Sequence, residues 1–346
     1  MNNICSVPFF RITFHHDIYG RENLAAVPCC GSWLKYPYST FSIPVKEDTH
    51  HNVDVLGAWN SIEMKRFRAS ILNGSYEFCK KDTCPHLVSN TFPEFPNEAL
   101  PYISKKETHL NYPPLSLVLG IDRACNLKCP ACRGAKEPLA NKKTYQRTSS
   151  FLNCGAKVVM MNASGELFIN RYMMKVLQEF SFQKYPAIEC INIMTNGTCF
   201  NKTTWSSISD DAKKLIGEVS VSLDSPNKET YESIRIGGNH SITMRNMEFI
   251  SQLRQQNFIK KLTLVCVVQK KNVHELLDFI SYSVKMKADI LVLNKIEQWG
   301  HVQDYHFNKH MALPENWQIT YKDSLEKSKS LLNEHNIRIM SNIILL

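Results

Sequence analysis

The stretch CNLKCPAC, Cys125 to Cys132, places three cysteines on one short segment in the order Cys, three residues, Cys, two residues, Cys. Thiolates are soft ligands that suit iron–sulfur clusters and zinc. Three on one loop can each bind one iron of a four-iron cluster and leave the fourth iron open to a small chelating molecule. Cys129 and Cys132 also have zinc-knuckle spacing, although no second cysteine pair follows within the usual ~15–20 residues.

Such a loop needs a scaffold. The run LSLVLGID just before it is apolar enough for a strand, and KVVMMN, IECINIMTN, IGEVSVSLD, KLTLVCVVQ and ADILVLNKI continue the series. Between them, RYMMKVLQEF, MRNMEFISQLRQQ and NVHELLDFISYSVKM have helical patterning. Strands alternating with helices predict an α/β fold with a parallel sheet, and six units opening with a ligand-bearing loop predict a partial (β/α)6 barrel. The loops after the strands form the active face of such a barrel, which puts Cys125, Cys129 and Cys132 on it. Residues 314–336 read as a last helix, and IRIMSNIILL as a short terminal strand or packed tail.

The rest of the composition sets bounds. A chain of 346 residues with 43% hydrophobic content can bury a full core. Twelve cysteines are too many for an ordinary reduced enzyme unless several hold metal. No run of about 18 apolar residues occurs, and MNNICSVPFFRITF lacks the basic head and cleavage site of a signal peptide. The expectation is a cytoplasmic protein without a membrane span. The net charge of +9 is spread along the chain without a long Lys/Arg block, a weak argument for nucleic acid. Residues 1–86 read as irregular, with five of the twelve cysteines and one convincing helix over 58–73 that ends at Gly74. Residues 87–114 are rich in proline and read as a linker to the β/α part at 115–346.

The three-cysteine motif resembles the signature of the radical S-adenosylmethionine (radical SAM) superfamily, with Ala131 where relatives usually carry an aromatic residue. Later strand ends match that family's landmarks in order. Ser164, Gly165 and Glu166 in MNASGEL resemble its Gly-Gly-Glu motif, which receives the amino group of the methionine moiety; Ser164 replaces a glycine and Leu167 a common proline. Thr195, Asn196 and Gly197 in MTNGT resemble its Thr-Asn-Gly turn, and Ser222, Asp224 and Arg235 fall where relatives have a serine, an acid and an arginine. By that resemblance Ser222 and Arg235 hold the methionine carboxylate, for which a guanidinium is a natural partner. The resemblance implies a [4Fe-4S] cluster and S-adenosylmethionine as cofactors. Singly, each landmark also has a plain reading: Asn196-Gly197 as a turn, Asp224 as a helix N-cap, Glu166 or Arg235 as surface charge.

The first segment, with CSVPFF, HHDIYG ahead of Cys29 and Cys30, and SYEFCKKDTCPHL, resembles the SPASM or twitch domain that holds auxiliary iron–sulfur clusters in radical SAM relatives, where it follows the barrel. Cys5, Cys79, Cys84 and one of Cys29 and Cys30 would complete an auxiliary [4Fe-4S] cluster, with Cys29 matching relatives as the ligand. A structural zinc on Cys79, Cys84, His86 and an earlier cysteine is the rival. Cys154, Cys190, Cys199 and Cys266 lie in or beside apolar strands and read as packing residues, His15-His16 and His50-His51 as loop histidines. The segment from Trp299, WGHVQDYHFNKHMALPENW, is a candidate to border the substrate.

The implied activity is reductive cleavage of S-adenosylmethionine to a 5′-deoxyadenosyl radical that abstracts hydrogen from a substrate. By that resemblance a peptide is the expected substrate, since SPASM-type relatives most often modify peptides or proteins, ribosomally made peptide natural products among them. An external electron donor would be needed, and a separate partner would bind the leader, because residues 1–114 leave no room for a folded peptide-recognition domain. Radical chemistry on a sugar or other small metabolite is the alternative on the same scaffold. A metal-stabilised nucleic-acid-binding protein is the alternative from another class, and the chain lacks RNA-recognition signatures.

Overall fold

The computed structural model describes residues 4–16, 24–35, 42–132, 140–161, 164–298, 304–341 and 343. It has a mixed α/β fold whose sheet is parallel through the β/α series. Two units emerge from its internal contacts. One comprises Met1–Arg123, Ala140–Gly165 and Arg171–Asn192, the other Ala124–Leu139, Glu166–Asn170 and Ile193–Leu346.

In the first unit, β1 (Arg11–His16), β2 (Leu24–Val27) and β3 (Ile43–Pro44) precede β4 (Ser116–Gly120) and β5 (Val158–Met161). β4 pairs with β5 in parallel from Ser116↔Val158 to Val118↔Met160. On its other side β4 pairs with β1, also in parallel, from Arg11↔Ser116 to His15↔Gly120. β2 and β3 then add antiparallel. The expectation of an irregular segment over 1–86 is therefore corrected: its apolar pieces RITFHH and LAAV are short but extended, and β4 provides the edge they need. Its helix is also two helices. Asp54 accepts the N–H of Gly57 to start Val55–Trp59, and Ser61 accepts that of Met64 to start Ile62–Leu72, so the chain breaks at Asn60. The proline-rich stretch 87–114 carries a helix, Leu100–Ser104, and is tied down. Trp59 Nε1 donates to Tyr112 O at 2.9 Å, and the Tyr112 hydroxyl donates to Phe9 O at 2.6 Å.

β6 (Cys190–Thr195) starts in the first unit and ends in the second, which continues with β7 (Ile216–Ser222), β8 (Lys261–Val268), β9 (Ile290–Lys295) and β10 (Arg338–Ser341). All six strands expected of the β/α series form, as β4 to β9. β7, β8 and β9 pair in parallel, Glu218↔Lys261 to Ser222↔Val265 and Thr263↔Ile290 to Val268↔Lys295. β8, KLTLVCVV, is buried at nearly every position, as expected of a parallel strand covered on both faces. The helix His240–Gln255 starts where the Asn239 side chain accepts the N–H of Ile242, and its buried Met247, Ile250 and Leu253 form one apolar stripe. The expected last helix is divided into Trp317–Thr320 and Lys322–Glu334. Among the described residues no helix is long and apolar enough to cross a membrane.

Candidate functional site

The three-cysteine loop belongs to the second unit, directly after β4 in the chain. Cys129 is buried, Cys125 half-buried and Cys132 exposed. The loop is shaped by its own backbone, with Cys132 N donating to Cys129 O at 3.0 Å and Leu127 N reaching Cys125 Sγ at 3.5 Å. Lys128 N donates to Ile236 O at 2.9 Å, which anchors it to the turn after the helix Lys228–Ile234. That turn needs glycine: Gly237 has φ +92°, and a Cβ there would lie 3.3 Å from Asn126 O.

Burial pushes the Cys129 thiol up, the Arg235 guanidinium pulls it down, and Asp224, Cys132 and Cys125 push it up again. The three sulfurs thus share one electrostatic neighbourhood. As thiolates they would repel one another without a cation among them. Three soft sulfur donors on one short loop suit three irons of a four-iron cluster with one open position.

Glu166 is fully buried and joins two strand ends. Its N–H donates to Ala124 O at 2.8 Å, next to Cys125. Its carboxylate accepts from Thr195 Oγ1 at 2.8 Å, Phe168 N at 3.1 Å and Asn196 N at 2.6 Å. Burial raises its pKa, and these donors, with Arg235, offset part of the rise. Asn196 then reaches the loop: its Nδ2 donates to Asn126 Oδ1 at 3.0 Å and lies 3.7 Å from Cys125 Sγ, while its Oδ1 accepts from Thr198 N and Oγ1. Gly197 turns the chain with φ +76°, and Asn246 Nδ2 holds the turn through Gly197 O at 2.8 Å and Thr198 O at 2.9 Å. Ser164 and Gly165 end the Ala140–Gly165 stretch of the first unit, immediately ahead of Glu166 in sequence.

β7 ends at Ser222, and two residues later Asp224 adopts φ +69°, a left-handed conformation that costs a non-glycine residue energy. The surroundings hold it there. Val267 N donates to Asp224 Oδ1 at 2.8 Å, and Asn272 Nδ2 to Asp224 O at 3.0 Å. The buried Cys266 thiol donates to the same carbonyl at 3.5 Å, so this cysteine does more than pack. Asp224 Oδ2 meets Arg235 Nε at 2.9 Å, and Arg235 Nη1 points to Cys129 Sγ at 3.9 Å. Burial works against the guanidinium charge, but Asp224, Cys129 and Tyr231 outweigh it and keep Arg235 firmly protonated. The plain readings of Asp224 as an N-cap and Arg235 as a surface charge do not describe this pair.

Two sets of direct contacts thus reach the cysteine loop: Glu166, Thr195 and Asn196 at Cys125, and Asp224 and Arg235 at Cys129. Asn126, Asn246 and Asn272 were not among the sequence candidates. Asn126 sits inside the cysteine motif, which is a signal; the other two carry none beyond being asparagines near a turn or helix start.

The second cysteine group lies within the first unit. Cys5, Cys29, Cys79 and Cys84 line one small cavity with Tyr76 and His86. Cys29 is buried and Cys30 exposed, so Cys29 is the member of the pair that faces the cavity. Burial and neighbouring thiols push Cys5 and Cys79 up to about 12, and Cys29 well above its usual value. Such a set repels itself when ionised and suits a metal cluster at its centre. Cys5 N donates to the Tyr76 hydroxyl at 3.1 Å, and His86 Nδ1 lies 3.1 Å from Thr91 O. Residues 299–303 of the segment expected to border the substrate lie outside the described residues.

No family model matches the chain. Over 182 residues it is 26% identical to an uncharacterized protein of Archaeoglobus fulgidus, covering 50% of this chain and 39% of that protein. Among solved structures it is similar to Streptococcus suis SuiB, with a TM-score of 0.48 and 16% identity over 81% of this chain and 61% of SuiB. It is also similar to anSMEcpe with bound AdoMet and the Cp18Cys peptide, with a TM-score of 0.47 and 18% identity over 66% of this chain and 63% of that one. The chain spans 39% of the length of the curated relative and less than two thirds of these two structures.

Proposed function

We propose that this chain is a radical SAM enzyme. The observation that carries the reading is the convergence on one cysteine loop of Asn196, from the end of β6, and Arg235, from beyond β7. Cys125, Cys129 and Cys132 would hold three irons of a [4Fe-4S] cluster, and the fourth iron would take S-adenosylmethionine. When bound, that cluster supplies the electron for homolysis of the sulfonium carbon–sulfur bond, giving the radical that takes hydrogen from the substrate. The chain's own residues orient and enclose. Glu166 and Asn196 tie the loop to the neighbouring strand end, and Asp224 fixes Arg235. By resemblance, Ser164, Gly165 and Glu166 would face the methionine amino group and Ser222 and Arg235 its carboxylate.

The four-cysteine cavity of Cys5, Cys29, Cys79 and Cys84 is proposed to hold an auxiliary [4Fe-4S] cluster. Because it resembles the SPASM domain of peptide-modifying enzymes, a peptide is the proposed substrate class, with an external electron donor as partner. Anaerobically reconstituted protein should hold about eight irons, four per cluster. Changing Cys125, Cys129 and Cys132 together to Ala should remove about half of the iron and abolish release of 5′-deoxyadenosine from S-adenosylmethionine under a strong reductant. Zinc in place of iron, or full iron in the triple variant, overturns the reading.

A further inference from the structure

We infer that Arg235, locked in place by Asp224, sets the reduction potential of the cluster on the Cys125 loop through its charged contact with Cys129. The inference rests on the cluster proposed above and goes beyond it. Resemblance gives Arg235 a role toward the methionine carboxylate, whereas the geometry directs Nη1 at a ligand sulfur, 3.9 Å away. A guanidinium carries five N–H donors, so one can serve Cys129 while others remain for a carboxylate.

Leu127 N at 3.5 Å and Asn196 Nδ2 at 3.7 Å reach Cys125 Sγ as neutral donors, and Arg235 Nη1 reaches Cys129 Sγ as a cationic one. Reduction adds one electron and so one negative charge to the cluster. A fixed cation beside a ligand sulfur stabilises the reduced form more than the oxidised form and raises the potential. Asp224 has two effects. Its carboxylate holds Nε at 2.9 Å and, being negative, offsets part of the effect of Arg235.

The pair is also unable to relax when the cluster changes charge. Asp224 is 4% exposed and keeps a left-handed backbone, clamped by Val267 N, Asn272 Nδ2 and the Cys266 thiol. Preorganised charges of this kind act at full strength at the moment of electron transfer, since they need no rearrangement.

The test is a potentiometric titration of anaerobically reconstituted full-length protein followed by electron paramagnetic resonance. The auxiliary signal is identified from the variant lacking Cys125, Cys129 and Cys132. Arg235→Gln should shift the loop cluster to more negative potential, leaving about tenfold less of it reduced at a fixed ambient potential. Arg235→Lys keeps the charge and should stay closer to the wild type. If Arg235→Gln does not load iron, Arg235→Lys decides the matter, since it keeps the cation. A loaded Arg235→Gln protein titrating with the wild type, or a loaded Arg235→Lys protein shifted tenfold or more, overturns the inference while leaving the proposed activity intact. Absence of any loop cluster in the wild type overturns both.

Discussion

Arg147 meets Glu47 in a two-point contact, Nε to Oε2 and Nη2 to Oε1, each at 2.8 Å, across a hundred residues of sequence. The guanidinium side chain is only 2% exposed, and His51 Nδ1 approaches the same carboxylate at 3.4 Å. The Arg147 hydrogen bonds hold the Glu47 carboxyl below its ordinary pKa. A depressed carboxyl stabilises the fold above its unfolded pKa, and that stabilisation fades as pH falls through the folded value. Glu47→Gln is expected to cost about 2 kcal/mol at neutral pH, because a buried arginine loses its charged acceptor. Urea unfolding at neutral pH and in the acid range should show the gap between variant and wild type closing as pH falls below the ordinary glutamate pKa of ~4.3.

The two adjacent cysteines near the four-cysteine cavity should behave differently. Cys29 lines the cavity and Cys30 is exposed. Cys30→Ala should retain the auxiliary iron, whereas Cys29→Ala should lose it and keep the loop cluster. Iron and sulfide analysis of both reconstituted variants checks this, and iron loss from the Cys30 variant alone would reverse the assignment.

Thr195→Val removes one donor to the buried Glu166 carboxylate while keeping the side-chain volume. It also frees Gly197 N, which donates to Thr195 Oγ1 at 3.1 Å. The expected loss is about 1–3 kcal/mol, the range for leaving a buried polar group short of a partner. A lower urea midpoint with an unchanged slope is the result expected.

Gly197→Ala should strain the turn that presents Asn196. Its φ of +76° disfavours any Cβ, and the added carbon would lie 3.1 Å from Val221 Cγ1. Roughly 1–2 kcal/mol of stability should go. The contact of Asn196 with Asn126 should loosen too, read as slower cluster loading rather than loss of cluster.

The β/α series was legible because β4 to β9 are apolar or alternating runs separated by amphipathic helices, both of them local signals. The cysteine loop and the Thr-Asn-Gly turn were legible for the same reason, being short motifs at strand ends. The strands β1, β2 and β3 were not. They are short, cysteines and prolines lie among them, and β1 joins the main sheet only through β4, far along the chain, with β2 and β3 added beyond it. Likewise no spacing rule relates Arg235 to Cys129 or Glu47 to Arg147. These pairs exist only after the chain has folded, which is why Arg235 could be named as a site residue while its sulfur contact could not be foreseen.

The parallel pairing of β1 with β4 sets a schedule for synthesis. Arg11 leaves the ribosome more than a hundred residues before its partner Ser116, and at ~5–20 residues per second β1 waits several seconds for β4. In that interval it can pair with β2 on one side, while its other edge stays open to neighbouring chains. Cys5 and Cys29 flank this unfinished hairpin, so their thiols face solvent, oxygen and stray metal before the cavity around them closes. Slow, oxygen-free growth with iron in ample supply should therefore raise the yield of soluble protein, through an effect on the nascent chain that acts before any catalytic turnover.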